Sequence, residues 1–438
     1  MKINNPMRNK IYESDVRYDI LKPFVDWCTR RSYKKISVAG LENLPEDGAV
    51  LLAPNHCNTL MDALVVLQST KDAKVFGARA DMFKRPLIAR IMHFVRILPM
   101  VRQRDGLRNV LKNHETFEII VETLENGVPF IMFPEGRHRP AHSLLPLGKG
   151  IMRTAVAANE KFGKEKPVYI VPAGIEYGDY FRYRSTCLVS FGKPINATEF
   201  INSLDVENDA QLNEPLRKEL VERMSELITY IPDDENLPAK WSLTKVLTAG
   251  FSSCNLVEKR DNNKKVIAQI EDAIQANPKK MTEILANAAA FDKTRRKAGI
   301  SFKSLGKKNL GLRCLGKALL AVLGLPYYAF SAIASLPMWV LSTFLRGKIR
   351  DKAFGNTVSF GVKLGLGAIW YPIVFALAFI FAPWQYALAG SLLAIPTYNY
   401  MYDFTEFLRV FASDCRLACN KGIRKSFDSV RKSFKNLK

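Results

Sequence analysis

Two stretches of this chain contain no charged residue: 318–345 and 364–402, which are 28 and 39 residues long. A helix needs about 20 apolar residues to cross the hydrocarbon core of a bilayer. The second stretch is long enough for two spans with a tight turn at Pro383-Trp384. Aromatic residues such as Tyr327, Trp339, Trp370, Trp384 and Tyr400 recur near the candidate ends, as in an interfacial belt. The competing reading is an apolar helical core in a water-soluble domain. The flanks favour the membrane. Of a net charge of +22, +18 lies in residues 293–438, in basic blocks that bracket the uncharged runs. Nucleic-acid binding is the rival use of such charge, but cations placed around apolar spans fit it poorly, and no nucleic-acid partner is expected.

Topology stays open at this level. A single crossing by 318–345 would put the basic loop 346–352 on the face opposite the block 293–317, against the positive-inside rule. A kinked or re-entrant segment broken at Pro326 and Pro337 would remove the conflict. Near the end of the chain, Ile423, Phe427, Val430, Phe434 and Leu437 follow spacings of 4, 3, 4 and 3, one face of a helix with Lys and Arg elsewhere. This pattern predicts a helix lying on an anionic membrane surface. The first residues, MKINNPMRNKIYESDVRYD, are polar, so no secretory signal is expected.

Composition removes other classes. A hydrophobic share of 48% and a charged share of 24% exclude a chain disordered throughout. Seven scattered Cys, with no C-x-x-C pair, exclude a disulfide scaffold and argue against zinc ribbons.

Residues 35–230 alternate between short apolar runs and helical periods. Strands are expected at 35–38, 49–53, 74–78, 97–101, 128–133, 168–175 and 187–191. Helices are expected at 60–68, 86–94, 107–125, 149–162 and 214–228. The alternation implies βαβ units, so the fold class is α/β, a mostly parallel sheet covered by helices. A polar, helix-rich linker and C-terminal membrane helices follow it. The expected organisation is 1–34 a helical lead-in, 35–230 the catalytic domain, 231–315 the linker, 316–402 membrane-embedded segments and 403–438 a basic amphipathic tail.

Four sites in that domain carry chemistry. Asn55-His56 follows a strand, and Asp62 lies in the opening turns of a helix. Such a pair can take a proton from a hydroxyl, the carboxylate fixing the imidazole tautomer. Phe133-Pro134-Glu135-Gly136-Arg137-His138-Arg139 ends a second strand in a carboxylate, a glycine and cations suited to phosphate. Arg102 and Arg104 follow a third strand, another suitable place for an anion. Val171-Pro172-Ala173-Gly174 suggests a backbone that something approaches closely. Each also has a plain structural reading, as a core histidine, a charged turn or an irregular strand.

Together, and in this order, they resemble the glycerolipid acyltransferase family, which has Asn-His with a downstream Asp, then Pro-x-x-Arg, then Phe-Pro-Glu-Gly-x-Arg, then a Val-Pro strand. The usual spacing there is His-x4-Asp; here five residues intervene, as in fungal-type glycerol-3-phosphate acyltransferases. The resemblance implies His56 as general base and Asp62 as its orienting carboxylate. It implies Asn55, Arg102, Arg104, Glu135, Gly136 and Arg137 as the substrate-binding set, with the arginines on phosphate. No metal and no cofactor is implied; acyl-CoA or acyl carrier protein would be the co-substrate.

The expected activity is transfer of an acyl chain to 1-acyl-glycerol-3-phosphate (lysophosphatidate), giving phosphatidate in phospholipid biosynthesis. Glycerol-3-phosphate is the alternative acceptor. A catalytically inactive, membrane-anchored lipid-binding protein and a thioester hydrolase are the rival readings. Membrane lipids are expected partners. The expected location is integral to a membrane, a bacterial inner membrane with the catalytic domain on the cytoplasmic side.

Overall fold

The computed structural model describes residues 11–100, 113–204 and 209–437. The chain divides into two compact units, residues 1–228 and 229–438.

In the first unit, α1 (Val16–Arg31) is followed by β1 (Lys35–Ala39), β2 (Ala49–Pro54), α2 (Leu60–Leu67), β3 (Val75–Arg79), α3 (Pro86–Phe94) and β4 (Ile97–Met100). After these come α4 (Asn113–Glu125), β5 (Phe130–Ile131), α5 (Gly150–Phe162), β6 (Val168–Tyr177), β7 (Thr186–Phe191), β8 (Ile195–Asn196), α6 (Ala197–Ser203) and α7 (Asp209–Glu226). The sheet order is β1-β7-β6-β2-β5-β3-β4, with β8 pairing β6 off that path. Five pairings are parallel; β6 is antiparallel to β7 and β8. The central strands are continuous apolar runs because helices cover both faces. Leu51, Phe130, Ile131, Ile170 and Val171 are fully buried.

Register places the site. Leu51 is opposite both Phe130 and Ile170, and these strands run in the same direction. The loops after β2 and β5 therefore leave at one edge, the C-terminal edge where α/β sheets build their sites. The closely approached backbone in β6 is at Gly174. A Cβ there would meet Leu227 Cβ at 2.6 Å and its carbonyl oxygen at 2.8 Å.

The second unit has two kinds of helix. In the first kind, α8 (Leu237–Leu247), α9 (Leu256–Ala276) and α10 (Pro278–Lys297) build an aqueous-type core. Asn277 caps α10 through its side chain, with Pro278 at the helix start. In the second kind, α11 (Leu310–Ala334), α12 (Leu336–Lys348), α13 (Gly355–Phe381) and α14 (Trp384–Ala394) turn apolar side chains outward, while α15 (Thr397–Cys419) buries Tyr398, Met401 and Phe404 among them. Leu323, Ile333, Ile369, Ile380 and Phe381 are exposed, whereas Ser342, Ser359 and Thr397 are fully buried. Leu310–Ala334 and Lys352–Phe381 are each long and apolar enough to cross a membrane.

The last helix, α16 (Lys421–Lys435), corrects the expectation for the tail. Its apolar face does not lie free for a lipid surface. Ile423, Phe427, Val430 and Phe434 are buried in one cluster with Leu243, Met281, Leu285 and Phe291 of α8 and α10. The rings of Phe291 and Phe427 are 6.0 Å apart. Residues 231–315 are correspondingly more than a connection, because they supply the surface that covers this face.

Contacts within α11–α15 settle the direction of the chain. Lys317 Nζ donates to Asp414 Oδ2 at 2.6 Å, and Tyr328 and Thr405 share a hydroxyl bond at 3.1 Å. Tyr327 OH donates to the Leu393 carbonyl at 2.8 Å, so α11 runs antiparallel to α15 and past its start. Ser342 then returns to Tyr402, with 3.0 Å between hydroxyls. The chain therefore reverses between α11 and α12, where Ser335 leaves helical geometry at φ −110° and ψ 9°. Pro326 stays inside α11, and Pro337 sits in the first turn of α12. The reversal brings Arg346 back toward the end of the bundle that holds Lys317.

Candidate active site

His56 sits between the end of β2 and the start of α2. Its Nδ1 is 2.7 Å from Asp62 Oδ2, with Asp62 fully buried in the first turn of α2. The same oxygen accepts the Cys57 N–H at 2.8 Å and the Asn58 N–H at 2.6 Å. Oδ1 accepts the Tyr177 hydroxyl at 2.7 Å. A carboxylate only accepts, so the ring proton sits on Nδ1 and Nε2 is left as the basic nitrogen. The His56 side chain is 18% exposed, so the ring is partly open to solvent while its partner is not.

Between His56 and Asp62 the chain kinks at Thr59. That residue adopts φ 50° and ψ −128°, a conformation rare for a β-branched side chain. The kink lets Cys57 and Asn58 turn their N–H groups onto Asp62 while α2 still starts in place.

Glu135 holds the backbone of His56. Its Oε1 accepts the His56 N–H at 2.7 Å, and its Oε2 accepts the Leu145 N–H at 2.9 Å. On the other side, the Arg139 N–H donates to the His56 carbonyl at 2.9 Å. Burial pushes the Glu135 carboxyl up, and the two N–H bonds oppose this. Both oxygens of Glu135 thus bond the main chain, so the carboxylate holds the loops that shape the site.

Asn55 also turns its side chain to the main chain. Its Nδ2 donates to the Ile175 carbonyl at 3.1 Å, and its Oδ1 accepts the Ile175 N–H at 2.6 Å. The side chain extends the β2–β6 ladder past its last backbone pair. Gly136 is exposed with φ 63°, and a Cβ there would meet nothing within 4 Å, so the left-handed backbone is what calls for glycine. Arg137 is exposed at the same loop. Arg102 and Arg104 lie outside the described residues.

Two residues of the site escaped the sequence reading. The His138 ring lies edge-on to the His56 ring at 5.6 Å, while Phe133 stacks on it at 4.4 Å. Counting along Phe-Pro-Glu-Gly-x-Arg, the position of the final Arg is held here by His138; Arg137 comes one residue early. That count was the available signal. For Tyr177 the only signal was strand parity, which puts it on the same face as Ile175.

Residues 35–176 match the Acyltransferase family model. Among solved structures, the chain is similar to the crystal structure of the 1-acyl-sn-glycerophosphate (LPA) acyltransferase, PlsC, from Thermotoga maritima. That match has 20% sequence identity and a TM-score of 0.35, and covers 49% of this chain and 84% of that one. No curated protein matches the chain.

Proposed function

We propose, from the match of residues 35–176 to the Acyltransferase family model, that this protein acylates a phosphorylated glycerol lipid at a membrane. The observation that carries the reading is the His56–Asp62 pair at 2.7 Å, with Nε2 of a partly exposed imidazole available at the loop edge of the sheet.

In the proposed reaction the acceptor hydroxyl attacks the carbonyl carbon of an acyl thioester. His56 Nε2 takes the hydroxyl proton as the new C–O bond forms. The carbon–sulfur bond then breaks, and the imidazolium returns the proton to the leaving thiolate. Asp62 stabilises the transient imidazolium and holds the tautomer. Arg137 supplies positive charge for the acceptor phosphate, together with Arg102 and Arg104. Lysophosphatidate is the acceptor this reading favours, and glycerol-3-phosphate is the alternative. Acyl-CoA or acyl carrier protein donates.

The outward apolar faces of α11–α14 support integral membrane placement, where donor chain and product are both lipid. The reversal at Ser335 turns Arg346 back toward Lys317, which fits the positive-inside rule with the basic blocks on a cytoplasmic face. The reading is tested with purified full-length protein in detergent and labelled acyl-CoA, against lysophosphatidate, glycerol-3-phosphate and an unphosphorylated lysolipid. Product is expected with a phosphorylated acceptor. Equal turnover of the unphosphorylated lysolipid would refute a phosphate-reading site, and release of free fatty acid alone would indicate a hydrolase.

A further inference from the structure

Acyl transfer as proposed uses His56 and Asp62 but assigns nothing to the phenol that touches them. Tyr177 ends β6 and is 5% exposed, with its hydroxyl 2.7 Å from Asp62 Oδ1. The opposite oxygen, Oδ2, is already crowded by His56 Nδ1 and the Cys57 and Asn58 N–H groups. Asp62 is fully buried, so solvent does not share the load on Oδ1. The phenol is fixed by its neighbours. Its ring stacks on Tyr33 at 5.8 Å and meets Tyr180 edge-on at 6.1 Å. Burial, then the nearby Asp62 charge, pushes the Tyr177 hydroxyl well above its usual range, so it remains a protonated donor through neutral pH.

We infer that Tyr177 is a positioning residue for this site: its hydroxyl holds Asp62 with Oδ2 toward His56 and draws off part of the carboxylate charge that the imidazole feels. The inference rests on the acyl-transfer reading. Its consequence is a matter of sign. Negative charge on Asp62 favours the imidazolium, and the phenol's hydrogen bond spreads that charge. Without the bond, His56 keeps its proton to higher pH. A general base must be neutral to act, so the acidic limb of kcat/KM moves to higher pH.

Among the described residues, the other ionisable groups facing the pair are Cys57 beside it, Cys187 of β7, Tyr33 and Tyr180, and Glu135 and His138 of the β5–α5 loop. Burial pushes both thiols and both phenols up, which leaves them uncharged near neutrality. Tyr177 also bonds Tyr33 and Cys187, but burial keeps both uncharged near neutrality, so a limb that moves only in the 177 variant belongs to the dyad.

The test uses full-length protein in detergent, with kcat and both KM values measured from about pH 5 to 9. Tyr177→Phe keeps the ring and removes the hydroxyl. It should lower kcat about tenfold, leave both KM values within about twofold, and raise the acidic limb by about half a unit. Tyr183→Phe is the control. That phenol is also buried and donates to Ser32 Oγ at 2.9 Å, away from Asp62, so its limb should stay at the wild-type pH. 3-Fluorotyrosine at 177, a stronger donor of nearly the same shape, should move the limb down, and it serves equally if Tyr177→Phe fails to fold. A limb unmoved or lowered in Tyr177→Phe, unmoved or raised with 3-fluorotyrosine, or shifted equally in Tyr183→Phe overturns the inference. Failure of the broader reading looks different: acyl transfer would then survive His56→Ala, whatever happens at 177.

Discussion

Apolar side chains point in opposite directions in two regions of this molecule. In the sheet unit, Leu51, Phe130, Ile131 and Ile170 are fully buried. In α11–α15, Leu323, Ile369 and Phe381 face outward while Ser342, Ser359 and Thr397 are fully buried. One rule covers both cases once the surroundings are allowed to differ. Apolar groups leave water, and polar groups leave hydrocarbon for partners of their own kind. Ser342 bonds both Ser359 and Tyr402 at 3.0 Å, as hydroxyls would in a bilayer interior. Helices α8–α10 and α16 share a unit with α11–α15 yet follow the aqueous pattern. Distance along the chain therefore does not mark where one pattern gives way to the other.

The largest effect expected in the sheet unit is chemical. His56→Ala should reduce acyl transfer by about 10²- to 10⁴-fold with the fold retained, since the ring is lost but the Glu135 clamp on the main chain remains. Circular dichroism together with the acyl-transfer assay separates lost base from lost structure; near-native activity would remove His56 from the mechanism.

Phe427→Ala probes the aqueous side of the comparison. The side chain is buried among α8 and α10, so truncation should destabilise this helical module by about 3–5 kcal/mol. If α16 instead lay on lipid, thermal unfolding would be unaffected and only vesicle binding would fall. Leu323→Arg probes the outward face. A charge there should weaken membrane insertion by about 2.5–3.5 kcal/mol, whereas on a water-exposed helix it would change stability by less than about 0.5 kcal/mol. Membrane fractionation of expressing cells reads the difference.

The smallest effect is at the kink in the site loop. Thr59→Gly should be more stable than Thr59→Ala by about 1 kcal/mol, because both lose the side chain but only glycine suits φ 50°. Equal melting temperatures would mean that the loop relaxes at no cost.

How much of this was legible beforehand depends on what a pattern encodes. The strand order of appearance, the α/β class and the His56–Asp62 pair could be read because periodicity and strand-end position are local. The roles of Asn55 and Glu135 could not. A motif fixes where a residue stands, but both side chains turn back onto the backbone of Ile175, His56 and Leu145. The amphipathic face of α16 was visible from its spacing, yet that spacing is the same whether lipid or a neighbouring helix covers it. A break is expected at both Pro326 and Pro337; the chain instead runs through Pro326 within α11 and reverses at Ser335, just before Pro337.

The comparison between the two regions is tested most directly by extracting membranes that contain the full-length protein with high salt and then alkaline carbonate. Salt screens charged contacts beyond a Debye length of about 8 Å at physiological strength, but it does not weaken hydrophobic insertion. The account predicts that the protein stays in the pellet through both steps, and that the first compact unit alone, residues 1–228, passes largely to the supernatant with the His56–Asp62 site intact. Full-length protein found mainly in the supernatant would contradict it, and would make α11–α15 the exposed surface of something other than a membrane domain.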